Sequence, residues 1–115
     1  MRMIGIAAAV TGAIAVAAGA FGAHGAAGPA EAGWLTTGAQ YQMVHAVAAI
    51  ALLRRAPGAA VTLLVGAAIF AFSLYAMALG APRWLGAITP IGGTLLIIGW
   101  LVAAIAFWRG RENGA

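Results

Sequence analysis

The side chains able to do chemistry in this chain are few, and most stand in one stretch. Thr37, Tyr41 and His45 are spaced four apart, and Gln42 lies three before His45. On a helix this spacing predicts a single shared face. Hydroxyl, phenol, amide and imidazole groups so placed suit hydrogen bonding, proton relay or the holding of a ligand. Ser73, Tyr75, Thr89 and Thr94 add polar groups further along, and His24 adds a second imidazole. Two histidines on neighbouring helices can ligate a b-type haem iron, so His24 and His45 raise that chemistry first.

What surrounds these groups limits them. The chain has 115 residues, 64% hydrophobic and 7% charged, with a mean hydropathy of +1.02. A soluble domain carries about 25% charged residues; here hydrocarbon rather than water must bathe most of the surface. The length allows one domain, 1–115. A membrane span takes about 20 apolar residues, so four spans with short loops use up the chain and leave no room for a soluble catalytic domain. Cysteine is absent, which removes disulfides, thiolate chemistry and Cys-ligated metal. The net charge of +4 comes from six arginines against Glu31 and Glu112. They stand singly or in pairs between apolar runs, as topology markers rather than a nucleic-acid surface.

The elements that must position the polar groups follow from the punctuation of the sequence. The first apolar run, 4–23, follows Arg2 and resembles a secretory signal peptide; the further apolar runs behind it favour a retained helix. Gly28, Pro29 and Glu31 then open a second helix, with proline at the first position and an anion in the first turn. That span is read as 30–53. Counted from Pro29 it is about 37 Å long, which leaves its first turns and Trp34 in the headgroup region. Arg54-Arg55-Ala56-Pro57-Gly58 closes it and forces a third span, 59–79, to return antiparallel. Gly80 and Pro82 stop the third helix. Thr89 as N-cap with Pro90 at the first helical position starts the last span, 88–108. The alternative is one longer helix kinked at Pro90. With the N-terminus inside, Arg2, Arg54, Arg55, Arg109 and Arg111 lie in the cytoplasm and only Arg83 lies outside. Cytoplasmic loops carry the arginine excess, so both termini are placed inside. The fold class is an all-α membrane protein, an antiparallel four-transmembrane-helix bundle.

In lipid, close approach of small residues does much of the work of joining helices. Gly5, Gly12 and Gly19 recur every seven residues, with Ala8, Ala15 and Gly22 three positions on; Ala59, Gly66, Ser73 and Gly80 repeat the spacing, as do Gly92, Gly99 and Ala106. This predicts small-residue seams and shallow crossings.

Depth then sorts the chemistry. Tyr41 and Gln42 fall about 10 Å below the outer surface, His45 about 15 Å, and Ser73 and Tyr75 about 7 to 11 Å, while Thr89 and Thr94 open the last helix from that side. These groups form one polar cluster in the outer half, its partners for His45 being Gln42, Tyr41 and Ser73. Each interhelical hydrogen bond of such a network is worth about 0.6 kcal/mol. His24 lies at the surface, about 15 Å from the level of His45, which argues against haem. Neither histidine has a carboxylate near it in sequence to complete a metal site. No nucleophile elbow, zinc helix or phosphate loop is present, and no acidic residue lies within the hydrocarbon part of a span to couple an ion.

Four stretches carry a family resemblance: Gly19-Ala20-Phe21-Gly22-Ala23-His24-Gly25, Tyr41-Gln42-Met43-Val44-His45-Ala46, Phe70-Ala71-Phe72-Ser73-Leu74-Tyr75, and Ile88-Thr89-Pro90-Ile91-Gly92-Gly93 followed by Gly99-Trp100. In this order, over nearly the whole chain, they resemble the family called domain of unknown function 423, small bacterial inner-membrane proteins with an animal relative. The third stretch departs from the family's pattern, with Ala71 and Phe72 in place of two small residues. The resemblance implies a multi-pass inner-membrane protein, with His24, Pro90, Gly92 and Gly93 joining the polar residues as motif positions, and it supplies no mechanism. The expected function is non-enzymatic: an accessory, assembly or structural component in the lipid bilayer, without cofactor, metal or nucleic acid, acting alone, as a homo-oligomer or in a larger membrane complex. The alternatives are a small oligomeric channel or transporter, and a binder of a lipid or quinone-like ligand.

Overall fold

The computed structural model describes residues 1–112, with side chains as far as residue 110; the side chain of Arg111, counted above among the cytoplasmic arginines, lies outside that range. The elements are α1 (Arg2–His24), α2 (Pro29–Ala51), α3 (Pro57–Ala78), a short 3-10 turn at Arg83–Ala87, and α4 (Thr89–Glu112). Proline occupies the first turn of α2 and of α3, where its missing N–H has no helical partner to lose. Gly80, at φ +104°, stops α3 in a conformation that side-chain-bearing residues avoid. The last helix starts at Thr89 and the segment before it is a separate turn, so there is no long helix kinked at Pro90. Among the described residues three segments are long and apolar enough to cross a membrane: Arg2–His24, Pro57–Ala78 and Arg83–Gly110. The 23 residues of α2 are long enough but less apolar, because they carry the polar group described above.

The helices pack in chain order. Positions along α1 meet α2 in descending order, Gly5 against Leu53, Gly12 against Ala46, Gly19 against Ala39 and Gly22 against Leu35, which fixes an antiparallel pair. The buried residues of α1 are Ala8, Ala15 and Gly22, the second row of the expected seam. Packing of α3 against α2 and α4 makes it the central helix: half of its most apolar stretch is buried, against 11% for α1 and 22% for the last segment. No Cα of α4 comes within 8 Å of α1 or α2 among the described residues. The bundle is therefore open, with α1 and α4 on its flanks, rather than closed into a ring.

The tightest joint is between α3 and α4. A Cβ placed on Gly92 would lie 2.7 Å from the Gly66 carbonyl oxygen and against the Phe70 backbone; one on Gly66 would lie 3.0 Å from the Gly92 oxygen. Backbone meets backbone here, the close approach that glycine permits in membrane helices. Gly99 likewise accepts the Leu63 side chain, which would sit 2.7 Å from an added Cβ. Gly80 does not continue the α3 seam; it is exposed and ends the helix. The end of the bundle near the α2–α3 turn has an apolar interior of Ala8, Ala49, Leu52, Ala59, Ala60 and Leu63. At its rim the Arg55 guanidinium lies 4.8 Å over the Phe107 ring. At the opposite end Arg83 lies 5.5 Å over Trp34, tying the 3-10 turn to α2.

These contacts rank the glycines. Gly92→Ala should destabilise the protein by about 1–3 kcal/mol through overpacking. Gly12→Ala, whose Cβ would meet only Ala46 Cβ at 3.9 Å, should be neutral or stabilising by up to ~1 kcal/mol through helix propensity. Thermal unfolding of the two variants in detergent checks the order.

Candidate functional site

The inward face of α2 is set by geometry. Successive steps of four residues advance about 40° around a helix, so a row that faces the core at His45 has turned away by Thr37. Gln42 and His45 are accordingly buried, at 1% and 6% exposure, while Tyr41 is 44% exposed and Thr37 is exposed. The expected shared inward face therefore narrows to Gln42 and His45. His24 is exposed at the last position of α1 and joins no side-chain hydrogen bond among the described residues.

Gln42 and Tyr75 form the most enclosed polar pair. The Tyr75 hydroxyl donates to Gln42 Oε1 at 2.8 Å, joining α3 to α2. Room for the ring comes from Gly38, one turn before Gln42: a Cβ there would lie 2.6 Å from Tyr75 Cε1. The sequence reading missed Gly38, since a lone glycine within a helix has no periodic signal.

His45 uses both ring nitrogens, and neither partner is Gln42 or Ser73. Trp100 Nε1–H donates to His45 Nε2 at 3.1 Å. Indole is only a donor, so Nε2 is the acceptor and Nδ1 bears the proton, which it donates to the Tyr41 carbonyl oxygen at 2.6 Å. Trp100 was overlooked as a partner although the same depth count finds it: ten residues into α4 is about 15 Å, the level assigned to His45. This bond reaches from α2 to α4 across α3, two helices whose backbones do not touch.

Ser73 pairs with Thr89 instead. The hydroxyl of Ser73 donates to the Phe70 carbonyl oxygen at 2.9 Å, so the Thr89 hydroxyl, 2.6 Å away, donates to Ser73. Thr89 thus links α4 to α3 rather than capping its own helix, while Thr94 donates to the Pro90 carbonyl oxygen. The anticipated single cluster is three separate joints. No buried side-chain nitrogen or oxygen lacks a partner among the described residues, and no three metal-ligating side chains gather there. Phe72, the departure noted in the third motif, is 46% exposed on the outward side of α3, and Ala71 is fully buried.

Beside the His45–Trp100 bond lies a groove of about 590 Å³ between α2 and α4, lined by Tyr41, His45, Phe70, Pro90, Gly93 and Trp100 among others. Gly92 faces the α3 crossing, whereas Gly93 and the exposed Pro90 form the groove's α4 wall. The Tyr41 ring packs on Phe70 with centroids 4.3 Å apart.

Long apolar helices joined by small residues, with their polar side chains turned onto one another, define a multi-pass helical membrane protein. The chain belongs to the family described as protein of unknown function (DUF423), whose model matches residues 18–93. It is 40% identical to a UPF0382 membrane protein of Haemophilus influenzae, over 90% of this chain and 92% of that relative. It is 37% identical to the UPF0382 inner membrane protein YgdD of Escherichia coli K12, over 98% of this chain and 95% of that one. A UPF0382 membrane protein of Staphylococcus epidermidis is 40% identical over 92% of this chain and 95% of its own length. No solved structure matches the chain. Its location is the bacterial inner membrane.

The His45–Trp100 bond makes a graded expectation. His45→Gln keeps an acceptor and a donor and should cost less than about 1 kcal/mol; His45→Leu strands the indole N–H and should cost about 1–3 kcal/mol. Adding Trp100→Phe to His45→Leu should recover part of that loss. Unfolding in detergent measures all three.

Proposed function

We propose that this chain is a four-span, non-enzymatic membrane protein with both termini in the cytoplasm, acting as an accessory or structural component through helix contacts. The observation that carries this reading is the closure of the inward polar groups on one another: Gln42 with Tyr75, His45 with Trp100, Ser73 with Thr89. Side chains paired in this way hold register between helices and are not free for chemistry. The same pairing takes Gln42 and His45 of α2 out of contact with hydrocarbon. At 23 residues it spans about 35 Å, more than the ~30 Å core of a bilayer.

Charge supports the orientation. Arg2, Arg54, Arg55 and Arg109 belong to the end of the bundle holding the α2–α3 turn, and Arg83 to the other; the first end is the cytoplasmic one by the arginine rule. The open arrangement supports the mode of action. Both α1 and α4 leave long apolar faces uncovered, with Ile97, Leu101 and Ile105 exposed on α4 and Met3, Val10 and Val16 on α1. A partner helix, from a second copy or another membrane protein, has room on either flank.

A pore needs a wetted route through both leaflets, and the arginine-rich half of the interior is alanine and leucine. Purified protein in liposomes should therefore pass no ions above the rate of protein-free vesicles. Saturable ion flux would overturn the accessory reading in favour of a channel or transporter.

A further inference from the structure

The groove between α2 and α4 differs from the closed joints around it in one respect. Of the polar side chains that line it, Trp100 donates to His45, His45 has both nitrogens engaged, and Thr94 donates to Pro90. The Tyr41 hydroxyl has no hydrogen-bond partner among the described residues, and Tyr41, which lines the groove, is 44% exposed. Tyr41 stands midway along α2, about 10 Å below the outer surface. An unpaired hydroxyl in hydrocarbon costs free energy, and no water is available at that depth to satisfy it. The chemistry asks for an acceptor that arrives from the membrane.

We propose that this groove binds a planar, carbonyl-bearing amphiphile of the isoprenoid quinone class, its ring against Tyr41, Phe70 and Trp100 and a ring carbonyl accepting from the Tyr41 hydroxyl. The volume of about 590 Å³ lies within the range of small-molecule sites, which pair apolar and aromatic walls with a few placed polar groups. Tyr41 and Phe70 pack together with their rings tilted by 32° and their centroids 4.3 Å apart, and form one aromatic wall of the groove. The wall at Gly93 is flat, since a Cβ there would meet only Phe70 Cδ2 at 3.9 Å. A phospholipid is a poorer match: its ester and phosphate oxygens lie at the interfaces, about 15 Å from the midplane of a ~30 Å core, and its acyl chain has nothing to accept a hydrogen bond. The inference rests on α2 crossing the bilayer, which topology mapping tests separately from ligand binding.

The probe is decylubiquinone, titrated into nanodisc-embedded protein carrying Trp34→Phe, Trp84→Phe and Trp108→Phe, so that Trp100 alone reports. Quenching should be saturable. Tyr41→Phe, which keeps the ring and removes the hydroxyl, should weaken the apparent Kd about 3- to 10-fold, and Gly93→Leu, which fills the groove, should remove the saturable component. Linear quenching of equal slope in all three proteins would overturn the proposal. So would quenching of Trp100 by a phosphatidylcholine with brominated acyl chains that decylubiquinone fails to relieve, which would give the groove to ordinary lipid. A disulfide between two copies carrying Ile97→Cys, formed equally with and without decylubiquinone, would give it to a second copy and also overturn the assignment.

Discussion

A polar side chain inside a bilayer has to find its partner within the protein, and the rest of this structure depends on that requirement. Three segments among the described residues are apolar enough to cross without help. The remaining helix, α2, is not, because it carries Glu31, Tyr41, Gln42 and His45 along with threonines near its start. Its place among the others is set by which of those groups it turns inward and what meets them. Tyr75 on α3 takes Gln42, and Trp100 on α4 takes His45. With these partners Gln42 and His45 are buried and satisfied; without them Gln42 would be almost fully enclosed and unpaired.

The hydrogen bonds rely in turn on close backbone packing. Trp100 can reach His45 over the top of α3 because α4 lies so near that helix, its Gly92 against the Gly66 carbonyl. Gly38 plays the matching part on α2, admitting the Tyr75 ring so that the hydroxyl arrives at Gln42. Glycines and polar groups therefore act as one system. A larger residue at either glycine would displace the helix that carries the partner, and the bond would be lost along with the packing. Such coupling is more restrictive than a small-residue seam alone, since Gly12 on α1, where an added Cβ would meet only Ala46 Cβ at 3.9 Å, tolerates more.

Much of this was legible in the sequence, and the failures have definite causes. Proline at the start of α2 and of α4, and Gly80 with Pro82 after α3, marked helix ends through backbone chemistry that does not depend on tertiary context. The seven-residue spacing of Gly5, Gly12 and Gly19 showed the side on which α1 meets α2, because packing imposes a period. Tyr41 and Thr37 were misplaced because a spacing of four drifts about 40° per step. One step already leaves Tyr41 half exposed beside the buried His45, and two turn Thr37 fully away from the core. The expected side-chain partners of His45 lie on its own helix and on α3, whereas the structure brings Trp100 of α4 across to it. Which helices neighbour one another is not written in local spacing. Gly38 showed no pattern at all, its role existing only in relation to a ring on another helix.

All of this turns on α2 being a span despite its composition, and the position of the C-terminus reports on it most directly. Fusions of a reporter active only in the cytoplasm and of one active only outside, placed after the last residue and at Ala26 in the α1–α2 connection, compare the two sides. A four-span protein with its N-terminus inside returns the C-terminus to the cytoplasm and leaves Ala26 outside. A C-terminus outside, with the N-terminus in the cytoplasm, would mean that only three helices cross and that the polar pairs of α2 serve some arrangement other than the one described.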